Sequence, residues 1–210
     1  NTDYEFYILN LNPGGGEAPN FADQVRVKYE GFTLDNEVFD SAVTPIDFDL
    51  LSLVPGWRKA IPFFNTAVSF VDNGDGTVDY TNHGVGVMFI PSGLGYFSNP
   101  TQTIPAYSPL VFKFDLLQMT VNDHDNDGVP SYLEDLNGDG EFTIADFEDD
   151  TITHDDTDRN SIPNYFDPDD DGDGVLTIDE DIDGDGDPTN DIGANGIPKY
   201  LDDTETATKE

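Results

Sequence analysis

The sequence predicts two unlike parts: a strand-rich α+β first half, and an acidic second half of repeated loops with little regular secondary structure. Three observations predict this division. Apolar and polar residues alternate over several stretches before residue 122, the period of half-buried strands. Glycine, proline and asparagine cluster between those stretches, as at Asn12-Pro13-Gly14-Gly15-Gly16, and read as turns. The charge is also divided unequally. Residues 1–122 carry 14 acidic and 5 basic side chains, whereas residues 123–210 carry 30 and 3. The expected units are therefore 1–122, 123–203 and a tail, 204–210.

Tyr4–Leu11 is aromatic-rich and alternating, and it stops at Asn12-Pro13-Gly14-Gly15-Gly16. In the next strand Val25, Val27 and Tyr29 alternate with Arg26, Lys28 and Glu30; Gly31 and Asp35-Asn36 punctuate it as a turn. Phe48–Leu50 reads as a short extended piece. In Val54–Ile61, Pro55 suits a first helical turn, and Pro62 would end or kink a helix near Ile61. Val68–Val71 and Thr77–Tyr80 flank Asp72-Asn73-Gly74-Asp75-Gly76, a hairpin turn. A cation loop is the rival reading there, but Gly74 and Gly76 occupy places that would need ligands. Phe112, Phe114 and Leu116 share one face of a closing strand, with Lys113 and Asp115 on the other.

The motifs of this half resemble, in order, those of FKBP-type peptidyl-prolyl isomerases. Val25–Ser41 follows the pattern V-x-V-x-Y-x-G-x-L-x-D-G-x-x-F-D-S. Val54–Ile61 is similar to V-I-x-G-W-x-x-G-L, Ile90–Tyr96 to I-P-x-x-L-A-Y, and Ile104 to Leu117 to I-P-P followed by L-x-F-x-V-E-L-L. The resemblance covers about Tyr4 to Met119. It implies an antiparallel β-sheet curved around one short helix. It also implies turnover of X–Pro bonds without a covalent catalyst. By resemblance Trp57 forms the floor of an apolar pocket, and Tyr29, Phe39, Phe48, Val54, Ile104 and Phe112 form its walls. The Tyr96 hydroxyl donates to a substrate carbonyl, and Asp40 faces the twisting one. Taken singly, each aromatic reads better as core than as pocket, and it is the ordered set that shifts the balance. The chain departs from the pattern in places. Ala42-Val43-Thr44-Pro45 has no basic residue where the family often pairs an arginine with the aspartate. Tyr96-Phe97 replaces Tyr-Gly, Ile46 stands where a pocket phenylalanine is often found, and Leu50-Leu51 replaces Leu-Gly.

The second half repeats a spacing that suits calcium. Asp123, Asp125 and Asp127 fall at positions 1, 3 and 5 of a twelve-residue loop, Gly128 at 6, the Val129 carbonyl at 7 and Glu134 at 12. Calcium takes six to eight hard oxygens, and alternate acids converge when the chain curls at a glycine. Asp135, Asn137, Asp139, Glu141 and Asp146 repeat the pattern; so do Asp169, Asp171, Asp173, Val175 and Glu180. Asp181, Asp183, Asp185 and Asp187 start another. Weaker copies begin at Asp156, with Asp158, Asn160 and Asp167, and at Asp191. An interleaved repeat, Val129-Pro130-Ser131-Tyr132, Ile162-Pro163-Asn164-Tyr165 and Ile197-Pro198-Lys199-Tyr200, returns after 33 and then 35 residues. Composition alone fits an acidic disordered tail; the regular glycines and Pro-x-Tyr anchors argue for ordered loops. The stretch resembles thrombospondin type 3 and EF-hand-like repeats. His124 and His154 read as solvated.

The expected function is thus a proline isomerase acting on exported proteins, carried with a calcium-stabilised region; alternatively, a non-catalytic peptide-binding module on a calcium-stiffened spacer. The partners are proline-containing polypeptides and calcium ions. So acidic a chain repels nucleic acid and anionic membranes. No apolar run is long enough to span a bilayer. Millimolar-calcium loops point outside the cytoplasm, to a periplasm or cell surface. A signal peptide or lipid anchor is expected upstream of Asn1, and a monomer is expected. Cysteine is absent, so disulfides say nothing about the compartment.

Overall fold

The computed structural model describes residues 4–144 and 154–208. It divides into two compact units, Asn1–Val121 and Asn122–Glu210.

In the first unit, five antiparallel strands form one sheet in the order β1-β6-β7-β2-β3. They are β1 (Tyr7–Asn12), β2 (Gln24–Thr33), β3 (Val38–Asp49), β6 (Gly84–Ile90) and β7 (Leu110–Thr120). β4 (Ser69–Asp72) and β5 (Val78–Thr81) form a separate hairpin across Asn73–Thr77, where the sequence places one. Its tip is closed by side chains: Asp72 Oδ1 accepts from Gly74 N–H, and Asp75 Oδ1 from Thr77 N–H.

Two sequence readings change. The piece expected at Phe48–Leu50 is the end of β3, a twelve-residue edge strand. Its alternation is hidden by exposed polar residues and by Pro45, which an edge tolerates. The register skips from Ala42 to Ile46 against β2, and Pro45 sits in that irregularity. Arg26 clamps this edge through two 2.7 Å hydrogen bonds to Asp47, whose carboxyl it holds below the usual range. Gly31 is not a turn residue either. It lies inside β2, opposite Asp40 on β3 and Phe112 on β7. A Cβ there would stand 2.6 Å from the Phe39 ring and 2.8 Å from the Phe112 ring, so the absent side chain is what lets those rings meet. The turn itself is at Asp35-Asn36, where Asn36 has φ 63°.

The short helix α1 (Pro55–Ala60) starts with Pro55 in its first turn and passes at Ile61–Phe63, around Pro62, into a 3-10 turn. It buries Trp57, Ala60 and, just beyond, Ile61 against Val25, Val27, Met88, Phe112, Phe114 and Leu116 of the sheet. Each such large apolar side chain contributes about 1.5–3 kcal/mol on burial.

The second unit is held differently. Its described residues form five 3-10 turns and one isolated bridge, Ile192 to Pro198. Three of the turns, Ser131–Leu133, Asn164–Phe166 and Lys199–Leu201, directly follow the prolines of the interleaved repeat. Among its described residues the buried apolar ones are Val129, Pro188 and Tyr200, set amid many buried carboxylates: Asp127, Glu134, Asp155, Asp156, Asp170, Asp171 and Glu180 are each at most 5% exposed. His124 is not solvated: its ring Nδ1 is 2.8 Å from Ser131 Oγ, and the ring meets Tyr165 edge-on. Glu205, expected in a free tail, accepts from Ala194 N–H and pairs with Lys199.

The loops share one backbone shape. Left-handed residues recur at positions 4 and 6: Asn126 and Gly128, Gly138 and Gly140, Arg159 and Ser161, Gly172 and Gly174, Gly184 and Gly186. Ser161, at φ 77°, carries a side chain where other loops have glycine. Ser161→Gly is expected to stabilise this unit by about 0.5–1 kcal/mol, the left-handed penalty less glycine's extra chain entropy. A rise of a few degrees in the far-UV melting midpoint of the full chain checks this; an unchanged or lower midpoint contradicts it.

Candidate functional site

A cavity of about 510 Å³ opens in the first unit between α1, β2, β3 and β7. Trp57, 3% exposed, lies at its base because α1 packs that face onto the sheet. Other rings surround the indole: Phe112 at 5.2 Å, Tyr29 at 5.7 Å and Phe48 at 6.0 Å between centroids, all edge-on. Phe39 meets Phe112 edge-on at 5.5 Å. Edge-to-face contacts of this kind fix ring orientation and add about 0.5–1.5 kcal/mol each beyond burial. Val54, Leu53 and Ile46 complete the apolar wall.

Asp40 and Tyr96, the two polar groups the sequence reading named, both stand at this cavity. Asp40 Oδ2 accepts from the Tyr29 hydroxyl at 2.6 Å and Oδ1 from Ser41 N–H at 2.9 Å. Burial and then that hydrogen bond push the Tyr29 phenol up, so Tyr29 stays a donor. Tyr29 thus holds Asp40 where the resembled family often has an arginine. Tyr96 follows the 3-10 turn Ser92–Leu94 and is 38% exposed. Phe97, standing where the family pattern has glycine, takes φ 48°; its N–H donates to Ser92 O and its ring meets Tyr107 at 5.2 Å. These contacts hold a conformation that glycine would adopt freely.

Of the pocket residues named from the sequence, Tyr29, Phe39, Asp40, Phe48, Val54, Trp57, Tyr96 and Phe112 line this one cavity. Ile104 does not; it is 3% exposed in the apolar core. Ser41, Ala42, Ser52 and Leu53 line the cavity as well. Ser41 closes the F-D-S motif but was given no role, and Ala42, Ser52 and Leu53 neighbour motif residues without belonging to a motif.

In the second unit, three loops bring their first acids together. Oxygens of Asp123, Asp125 and Asp127 lie within 4.8 Å of one another, as do those of Asp169, Asp171 and Asp173, and those of Asp181, Asp183 and Asp185. The backbone sets this up. The position-1 carboxylate accepts from amides across the loop, as Asp123 does from Asn126 and Gly128, and Asp135 from Gly138 and Gly140. The position-5 side chain accepts from the amide two residues on: Asp127 from Val129, Asp139 from Glu141, Asp173 from Val175 and Asp185 from Asp187. Glu134 and Glu180, at position 12, are buried at 0% and 1% exposure. Burial and neighbouring acids push Glu134 up to about 11, Glu180 to about 8, Asp125 to about 7, and Asp127 and Asp171 to about 6.

Other residues from the sequence reading are placed differently. In the loop from Asp135, Asn137 Oδ1 accepts from Asp139 N–H at 2.9 Å, and Asp146 lies outside the described residues. In the weak copy at Asp156, the Asn160 amide donates to Asp158 at 3.0 Å and to Asp167 at 2.6 Å, so a neutral donor bridges those carboxylates. Asp187 caps the turn Pro188–Asn190 by accepting from Thr189 N–H. A fourth convergence was not anticipated: Asp127, Glu134 and Asp170 also lie within 4.8 Å of one another.

The first unit thus joins an antiparallel sheet and one short helix, with an aromatic cavity between them. The FKBP-type 22 kDa peptidyl-prolyl cis-trans isomerase of Escherichia coli is 30% identical over 113 residues, 52% of this chain and 47% of that one. The FKBP-type isomerase FkpA of Aeromonas hydrophila is 31% identical over 107 residues, 50% of this chain and 34% of that one. Among solved structures, FkpA from Escherichia coli aligns at 27% identity with a TM-score of 0.46, covering 55% of this chain and 48% of that one. A peptidyl-prolyl isomerase from Pseudomonas syringae aligns at 26% identity with the same TM-score of 0.46, covering 55% and 75%. The chain thus spans only a third to a half of the length of those two curated relatives. Those two curated relatives are named FKBP-type peptidyl-prolyl cis-trans isomerases. Residues 124–189 match a different family model, described as BamM C-terminal. No described helix is long and apolar enough to cross a membrane.

Proposed function

We propose that the first unit is a peptidyl-prolyl cis-trans isomerase and that the second is an array of calcium sites. The observation that carries the first reading is the Trp57-floored cavity with Asp40 and Tyr96 lining the same space. Amide resonance sets the isomerisation barrier at about 18–20 kcal/mol. A twisted amide has lost charge separation, so apolar walls favour it over the planar ground state. Each 1.4 kcal/mol of that preference is worth about a factor of ten in rate. The proline ring lies over Trp57 between Tyr29, Phe48 and Phe112. The Tyr96 hydroxyl donates to a backbone carbonyl of the substrate and holds its frame fixed. Asp40, anchored by Tyr29, faces the rotating carbonyl. No proton is transferred and no bond to the enzyme forms.

An isomerisation assay on short X–Pro peptides tests this. Wild type should accelerate the reaction, and Tyr96→Phe and Asp40→Ala should each lower kcat/KM about tenfold or more, with unchanged melting curves. Wild type no faster than the uncatalysed reaction overturns the enzyme reading and leaves a peptide-binding module.

For the second unit, the donor set supports calcium. The carboxylates are hard, they converge at loop positions 1, 3 and 5, and glycine occupies position 6 of each strong loop with φ between 77° and 99°. Asp123, Asp125, Asp127 and Glu134 would hold one ion; Asp169, Asp171, Asp173 and Glu180 another; Asp181, Asp183 and Asp185 a third. A bound ion would neutralise acids that now crowd one another. Loops of this type suit millimolar calcium, so the protein works outside the cytoplasm, on proline-containing segments of exported polypeptides.

A further inference from the structure

From the buried cluster Asp127, Glu134 and Asp170 we infer a further cation site, one that joins two loops 43 residues apart, with Asp170 as the ligand that closes it. The inference rests on the calcium reading above and deepens it. Asp170 occupies position 2 of the loop from Asp169, a place the loop spacing does not assign to a ligand. Its flanking residues Asp169 and Asp171 point into their own cluster with Asp173, while an Asp170 oxygen lies within 4.8 Å of oxygens from Asp127 and Glu134.

Burial makes the arrangement informative. Asp127, Glu134 and Asp170 are 1%, 0% and 1% exposed. Both oxygens of Glu134, both of Asp170 and Oδ2 of Asp127 are buried and accept no hydrogen bond. Asp155 shows what a carboxylate satisfied by protein looks like in this unit: it is 0% exposed and accepts from Leu136 and Thr143 amides at 2.8 Å each. Of the three clustered acids only Asp127 has such a contact, through Oδ1 from Val129 N–H at 2.8 Å. Buried carboxylates need donors or a counter-charge, and the described surroundings add more acid, since both oxygens of Asp125 are also buried without a donor. A hard divalent cation answers that requirement with oxygen ligands alone. Asp127 takes part in both this set and the Asp123–Asp125 set, and Glu134, position 12 of that loop, would be shared in the same way, so the pair bridges two adjacent ions. An ion that binds only when the two loops have met adds its binding free energy to the stability of both, which gives this site leverage over the whole unit.

Calcium binding to the full chain and to Asp170→Asn, counted by titration calorimetry and native mass spectrometry, tests the inference. The variant should hold one ion fewer, or bind one ion at least tenfold more weakly, with the remaining sites unchanged. Asp170→Glu, which keeps a carboxylate, should recover that ion. If Asp170→Asn does not fold in ordinary calcium, raising calcium at least tenfold should refold it. A variant with wild-type stoichiometry and affinity, or one unfolded at every calcium concentration, overturns the Asp170 site while leaving the loop sites standing. A wild-type chain that binds no calcium overturns the loop reading itself.

Discussion

Removing calcium from the full chain is expected to unfold residues 122–210 and leave the Trp57 environment intact. The reason lies in what each unit buries. In the first, Val25, Val27, Leu50, Phe64, Met88, Ile90, Leu110 and Leu116 are at most 2% exposed and surround the helix. That core contributes at ordinary hydrophobic magnitudes whatever the ion content. In the second, buried apolar residues are few, and carboxylates stand within 4.8 Å of one another in several clusters. At an effective dielectric constant near 20, two such charges repel by about 3 kcal/mol. Bound calcium reverses the sign of that contribution, and tenfold excess over Kd adds about 1.4 kcal/mol per site by mass action. Binding free energy is then folding free energy. Trp57 is the chain's only tryptophan, so its fluorescence reports the first unit while far-UV dichroism reports both. With chelator, the dichroism should lose a component at low temperature and the Trp57 transition should stay in place. A Trp57 midpoint that falls with the loops would show one cooperative unit; no change in either signal would show that calcium does not order the acidic half.

How much of this was legible beforehand depends on which physics left a pattern in the chain. β2 and β7 bury alternate residues against one core, and alternation is readable. The helix could be placed because Val54–Ile61 resembles a motif the family carries on a short helix, and Pro55 and Pro62 suit its two ends. β3 was mostly missed: as an edge strand it keeps polar residues and a proline, so no period of two appears. Gly31 was misread because a glycine that marks a turn and one that makes room for two rings look the same in sequence. The cavity lining was legible through ordered motifs, except that Ile104 went to the core and Asp40 found Tyr29 for a partner. In the acidic half, loop spacing shows where the chain curls, since each loop's left-handed residues are local. It does not show which carboxylates meet across loops. Asp170 lies between two ligand positions, and only folding brings it to Glu134. Asn160 illustrates the converse: it occupies a ligand place, yet its amide donates to Asp158 and Asp167.

Trp57→Ala is expected to produce the largest loss in the first unit, on stability and turnover together. The indole is 3% exposed, and four rings, Tyr29, Phe48, Phe112 and Phe114, stand within 5.2–6.2 Å of it. Truncation leaves a cavity beneath the wall of the site and costs about 3–5 kcal/mol, the usual range for a large aromatic. It also removes the surface on which the proline ring rests, so kcat/KM should fall at least tenfold at temperatures where the variant is still folded. Trp57→Phe keeps an apolar ring at the same place. It should lose about 1–2 kcal/mol of stability, because part of the volume remains, and retain measurable turnover. Denaturant unfolding gives the stability of the three proteins, and the X–Pro assay gives their rates. If Trp57→Ala loses stability but, where folded, turns over peptide as fast as wild type, then Trp57 is core alone. The proline would then have to bind elsewhere in the domain.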